Sequence, residues 1–165
     1  MPVYRLNVPL TKQTKNYLFH SKAFLESVGY GDDNLLVIIN YALRLFENYL
    51  DLLDGNIVVL GFSNMQRNTF SMEEVAKEMR KQALEIIPFT EISQDYADWL
   101  ESIKIKTDAK DHSEVIIYAI SYLAFLVEII ENKGDIFLGQ NTKEGLALAH
   151  YVIDLFASYR PALMH

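Results

Sequence analysis

The sequence predicts a mainly α fold with short β-strands (α+β), in which two strand-helix-helix-strand units form one pseudo-symmetric domain. Three observations predict it. Val8-Pro9-Leu10-Thr11 returns as Ile87-Pro88-Phe89-Thr90, and a tyrosine stands six residues after each threonine, at Tyr17 and Tyr96. Each copy runs on into a long apolar stretch carrying Tyr-Ala, at Tyr41-Ala42 and Tyr118-Ala119. Each then meets a glycine and a short apolar run ending in Leu-Gly, at Leu60-Gly61 and Leu138-Gly139. A repeat of this length is a supersecondary unit too small to bury its own apolar face, so the two copies are expected to share a core.

The first unit covers about 3–61. Residues 3–8 alternate as a half-buried strand that Pro9 ends. Thr11 is the expected N-cap of a helix whose apolar face is Tyr17, Ser21, Phe24 and Val28, with Leu18 and Leu25 beside it. The turn 29–34 ends in Asp33 and Asn34, either of which can cap the next helix. That helix, 35–54, is apolar nearly all round, interrupted by Asn40, Arg44, Glu47, Asn48 and Asp51, and so belongs at the centre of the molecule. Gly55 stops it, and 57–60 reads as a short buried strand.

Residues 62–68 read as a polar connector, and Ser71 with Glu74 makes a capping box for a connecting helix over about 71–82. The second unit covers about 84–139, opening with a strand at 84–87. Ser93 caps a helix that buries Tyr96, Trp99, Leu100 and Ile103. A charged turn, 106–111, leads to Ser113 as the cap of a central helix over 115–132; Gly134 stops it, and 136–138 is its strand. A C-terminal helix is expected over about 143–159, before Pro161. With no low-complexity or linker-like segment, 1–165 reads as a single domain.

Composition bounds the function classes. Half the residues are apolar, and ten Tyr and nine Phe supply core material, which argues against disorder. The absence of Cys removes disulfides and thiolate chemistry and fits a reducing compartment. The start lacks a secretory pattern, and the uncharged run 115–127 is shorter than the roughly 20 residues of a membrane span, so a cytoplasmic location away from membranes is expected. The net charge of -7 argues mildly against a polyanion partner. It is unevenly spread: residues 1–25 hold Arg5, Lys12, Lys15 and Lys22 and no acid, while the remainder carries the whole acidic excess.

Ser113-Glu114-Val115-Ile116-Ile117-Tyr118-Ala119, followed by an apolar helix, Lys133-Gly134-Asp135 and a short strand, resembles the ribbon-helix-helix proteins of the MetJ/Arc type. The first unit matches more loosely, with Leu36 standing where Ser113 does. The resemblance implies an antiparallel two-stranded ribbon that enters the DNA major groove, with the start of the second helix on phosphates. It leaves open whether the two strands pair within one chain or between chains. Strand parity puts Tyr4, Leu6 and Val8 on the apolar face and names Arg5 and Asn7 as base readers, with Lys12, Lys15 and Lys22 on or near phosphates. The second strand offers Glu85 and Ile87 outward, and both phosphate-side turns carry acids, Asp32 and Asp33 in one and Asp108 and Asp111 in the other. Ungapped matching also sets Lys12 against Glu91 and Lys22 against Glu101, a reversal of charge between the copies.

Chemistry has little support. The four histidines show no metal-ligand spacing, so neither a catalytic residue, a metal site nor a cofactor is expected. Asp111-His112-Ser113 contains the residue types of a triad, but neighbours at a helix start point apart. Glu47 and Asp51 stand one helical turn apart and are expected in solvent, as are Asp95, Asp98 and Glu101, while Trp99 is expected in the core. Two functions remain: a DNA-binding transcriptional regulator whose partner is double-stranded DNA, and a non-catalytic protein-interaction or dimerisation module of the same fold. A homodimer fits either.

Overall fold

A computed structural model describes the backbone of residues 3–29 and 34–151; the side chains of 3–7 and 86–91 lie outside the described residues, as do 1–2, 30–33 and 152–165. In chain order the elements are β1 (Val3–Thr11), α1 (Lys12–Ser27), α2 (Leu35–Asp54), β2 (Val58–Ser63), β3 (Gln66–Thr69) and α3 (Met72–Arg80). There follow β4 (Leu84–Ser93), α4 (Gln94–Thr107), α5 (His112–Glu131), β5 (Asp135–Thr142) and β6 (Gly145–His150). The described chain is therefore mixed α+β, with five helices and two small sheets.

Each helix starts at a side chain that satisfies an otherwise unpaired N–H. Thr11 Oγ1 accepts from the Thr14 N–H at 3.0 Å, Asn34 from Leu36 at 3.0 Å, Ser71 from Glu74 at 3.2 Å and Ser93 from Tyr96 at 3.2 Å. The cap of α5 is Asp111, which accepts from Glu114 at 3.0 Å, so the helix begins at His112 and the expected cap Ser113 lies inside its first turn. Both long helices end in the same double hydrogen bond. Ile57 N–H donates to Leu52 O and Asn56 N–H to Leu53 O; Gly134 N–H donates to Ile129 O and Lys133 N–H to Ile130 O. The left-handed residues of these stops are Asn56 (φ 61°) and Lys133 (φ 56°), not the glycines expected to end the helices.

The four-stranded antiparallel sheet has the order β3-β2-β5-β6. Two of its strands differ from expectation. The expected polar connector 62–68 holds a hairpin: Asn64 and Met65 both take positive φ (50° and 61°), the geometry of a tight two-residue turn, and β3 runs back along β2. Its four residues are all exposed, so they carry no apolar alternation that would mark a strand. The expected helix over 143–159 is replaced, as far as residue 150, by the two-residue turn Lys143-Glu144 and by β6, which opens at Gly145 (φ 117°) and pairs with β5 from Phe137↔His150 to Thr142↔Gly145. Alanine and leucine suit a helix locally, and pairing with β5 overrides that preference. The rest of that expected helix lies outside the described residues.

Separately, β1 and β4 form a two-stranded antiparallel sheet within the one chain, in register from Thr11↔Leu84 through Val8↔Ile87 to Val3↔Ser93, with an irregularity between Arg5 and Asn7. Both strands run further than expected, and Pro9 is carried inside β1.

The core lies where α2 and α5 pack side by side. Both are twenty residues long, and α5 is buried continuously from Val115 to Leu123. Aromatic rings fill the middle: Phe46 stacks on Tyr49 (5.9 Å between centroids), and Tyr49 meets Tyr122 (4.7 Å) and the edge of Phe70 (5.4 Å). Helix α5 alone is long and apolar enough to cross a membrane among the described residues, and 67% of its most apolar stretch is buried inside the molecule. On α1 the buried residues are Thr14, Leu18, Ser21 and Leu25, with Phe24 half-buried; Leu18, Ser21 and Leu25 are among those expected, whereas Tyr17 and Val28 are exposed. On α4, Tyr96, Leu100 and Ile103 are buried, and Trp99 is half-buried at the edge.

Candidate functional site

The five residues expected to touch DNA fall at the N-terminal end of the fold, on β1 and α1. Arg5 and Asn7 lie in β1, where the register sets them opposite Glu91 and Pro88; their side chains are outside the described residues. Lys12 is the first residue of α1, exposed, and makes no ion pair among the described residues. Lys15 donates to Glu85 at 3.2 Å, reaching from α1 to β4, and Lys22 pairs with Glu26 at 2.7 Å on its own helix. Both pairs are exposed enough that each stabilises the fold by about 0–1 kcal/mol at most. Their consequence for a ligand is larger: each carboxylate cancels the charge that a phosphate would need.

The expected reversal of charge between the two copies does not survive the geometry. Counted from the caps Thr11 and Ser93, Lys12 corresponds to Gln94, Lys15 to Ala97 and Lys22 to Lys104. Glu91 stands in β4, three residues short of α4. Thr11 is itself the cap of α1, whereas Ser93, the cap of α4, stands three residues past Thr90, a difference that an ungapped match cannot show. Counted from the caps, Tyr96 falls at the position of buried Thr14 and not at that of exposed Tyr17.

The remaining candidate groups are occupied structurally. His112 Nε2 lies 2.7 Å from Glu101 Oε2, turned toward α4, while Asp111 is bound to the backbone of α5. The His112 hydrogen bond, helped by Lys104, holds the exposed Glu101 carboxyl below its ordinary range despite some desolvation. Glu47, expected in solvent, is half-buried and accepts from Trp99 Nε1 at 3.2 Å, with Lys106 at 3.9 Å; Asp51 is exposed. Arg44 lies 5.7 Å from the centre of the Trp99 ring, a cation–π contact. Together these fasten α4 onto α2 beside a hollow of about 490 Å³. Tyr96 borders the same hollow. Its hydroxyl is buried, finds no partner among the described residues, and desolvation raises its pKa far above the ordinary value for tyrosine. The sequence marks Arg44 as an interruption of an apolar helix and pairs Glu47 with Asp51 in solvent, because a Trp99 partner 52 residues from Glu47 gives no local signal.

Among the described residues no three His, Asp or Glu side chains converge as a metal site would require. In comparisons with known proteins, no family model, no curated protein and no solved structure matches this chain.

Proposed function

We propose that this chain is a ribbon-helix-helix-like module with both halves in one polypeptide, and that it serves protein interaction or dimerisation instead of DNA reading. The first part rests on element order and register. β1-α1-α2-β2 is followed by β4-α4-α5-β5, and the two long helices share their length and their C-terminal hydrogen bonding. The local two-fold axis of the β1–β4 pair passes through Val8↔Ile87, which are the counterparts in Val-Pro-Leu-Thr and Ile-Pro-Phe-Thr. The axis of the β2–β5 pair passes between Val59↔Leu138 and Leu60↔Phe137, which is where matching Leu60-Gly61 to Leu138-Gly139 requires it. Antiparallel pairing always has a local two-fold axis; its coincidence with the sequence repeat in both sheets supports duplication.

The second part is carried by one observation: of the three lysines expected on phosphates, two are already engaged by carboxylates, and Glu85, the partner of Lys15, belongs to the ribbon itself. The register adds Glu91 opposite Arg5. A surface so balanced, in a chain of net charge -7, gains little counterion release on DNA. For contact with a second copy, β6 is the better surface. Among the described residues it pairs on one side only, it exposes Leu146 and Leu148, and His150 is its sole ionisable residue. DNA binding stays as the second reading because Lys12, at the start of α1, is exposed and unpaired among the described residues.

Fluorescence anisotropy on mixed duplex DNA separates them. The proposal expects no salt-sensitive binding at low salt. Binding that falls linearly in log salt, by about 0.9 per phosphate neutralised, and that weakens in Arg5→Ala/Lys15→Ala would overturn it.

A further inference from the structure

A cleft of about 290 Å³ opens where α3 passes α5, beside the end of β1. Phe70, Val75, Met79, Ile117 and Phe125 supply apolar walls. The volume is at the lower end of ligand pockets, roughly 300–1,000 Å³, and suits a single ring with a short chain.

Two kinds of polar group meet these walls. Ser121 lies on the buried face of α5, is 8% exposed, and its hydroxyl makes no hydrogen bond with a described residue although it borders the cleft. Thr11 and Thr14, both buried, hold their hydroxyls 2.7 Å apart, while Thr11 Oγ1 also accepts the Thr14 N–H. Two hydroxyls sharing one hydrogen bond leave one O–H proton directed elsewhere. At the mouth stand three exposed carboxylates, Glu74, Glu78 and Glu128, and no described Lys or Arg borders the cleft. Glu78 lies 3.7 Å from Lys81, whereas Glu74 and Glu128 make no ion pair among the described residues. Glu74 also sits at the third position of α3, where a capping box would turn its carboxylate back to the cap. Ser71 accepts the Glu74 N–H, but the return bond is not formed, which leaves the carboxylate to the cleft mouth.

Negative charge beside an apolar wall, with buried hydroxyls beneath, selects for a cation with an apolar body and against an anion of the same shape. We propose that this cleft binds a small apolar amine, its ammonium held by Glu74 and Glu128 and its body laid against Met79, Ile117 and Phe125. Binding at this cleft requires neither the duplication nor the absence of DNA binding.

Three probes with the same ring and similar length test it: 2-phenylethylammonium, 2-phenylethanol and phenylacetate, titrated into the full chain and followed by backbone amide shifts in NMR. The cation is expected to shift Ser71, Ser121 and Phe125 and to bind at least about tenfold tighter than the alcohol, the margin of a charge-assisted contact over a neutral one. Phenylacetate is expected to leave these amides in place. In Glu74→Gln/Glu128→Gln the cation should fall to the affinity of the alcohol. Ala124→Leu, on the cleft wall, should abolish binding of both; if that variant misfolds, the glutamine pair alone decides, since both positions are exposed. Equal binding of the three probes, shifts elsewhere on the molecule, or an undiminished cation affinity in the glutamine pair would each overturn the proposal, as would no binding at all.

Discussion

Gly134 lies where α5 hands over to β5, and a Cβ placed there would run into the backbone carbonyl oxygen of Phe62 on the neighbouring strand. Backbone cannot move aside as a side chain can, so this position tolerates no larger residue without shifting β2 against β5. Gly61 is crowded in a different way: its Cβ would stand 2.6 Å from Ile129 Cδ1 and 2.7 Å from Ile129 Cγ1, side-chain atoms and not backbone. Gly55 is not crowded. Its nearest atom would be 3.5 Å away and its φ of -86° suits any residue, because Asn56 takes the left-handed conformation that ends α2. Three alanine substitutions at glycines that look alike in sequence should therefore diverge. Gly55→Ala is expected within about 0.5 kcal/mol of the wild type, and Gly61→Ala to cost about 1–3 kcal/mol by overpacking. Gly134→Ala should be the most costly of the three, read as urea unfolding midpoints at constant slope. Equal costs at Gly55 and Gly134 would sink the close-approach account.

At the scale of elements the caps can be tested in the same way. Asp111→Ala removes the acceptor at the start of α5 and should destabilise by about 1 kcal/mol, whereas Ser113→Ala, inside the first turn, should change stability by a few tenths at most. The reverse order of costs would restore Ser113 as the cap. This pair also shows what sequence could carry. Thr11, Ser71 and Ser93 were legible as caps because capping needs only a side-chain acceptor within three residues of an N–H. The turn before α5 offers two such acceptors, and their chemistry does not choose between them. The bounds of α2 were legible to the residue, since an apolar run flanked by Asn34 and Gly55 is a local pattern. β3 and β6 were not. One is wholly exposed, the other reads as a helix by composition, and each exists through hydrogen bonds to a strand that its own residues do not specify. The same limit governs the candidate site. The basic residues of α1 stand out in the sequence, but Lys15 meets Glu85 across 70 residues, and only the fold brings that carboxylate to it.

At the scale of the whole molecule the consequential contact is the one that closes the β1–β4 pair inside one chain, joining the N-terminal strand to the strand after α3. A ribbon completed in this way needs no second copy, so its formation should not depend on protein concentration, and any dimer must use another surface such as β6. The chain has no cysteine, which makes the point directly testable. Val8 and Ile87 face each other in register, and opposed positions of an antiparallel pair hold their Cβ atoms about 4.5–5.5 Å apart, close enough for a disulfide after small adjustment. Val8→Cys/Ile87→Cys is expected to oxidise to a species that runs as a monomer on a non-reducing gel. If the geometry is unstrained, closing so long a loop should raise its stability over the reduced form by about 4 kcal/mol. Val8→Cys alone should stay uncrosslinked, because its counterpart in a second chain would be nowhere near. The alternative predicts the opposite pattern: if the ribbon formed between two chains with β1 against β1, the local two-fold axis would bring Val8 close to its own copy, and the single variant would crosslink as a dimer. A disulfide dimer from Val8→Cys alone, together with a wild-type stability that rises with protein concentration, would therefore move the ribbon from within the chain to between chains.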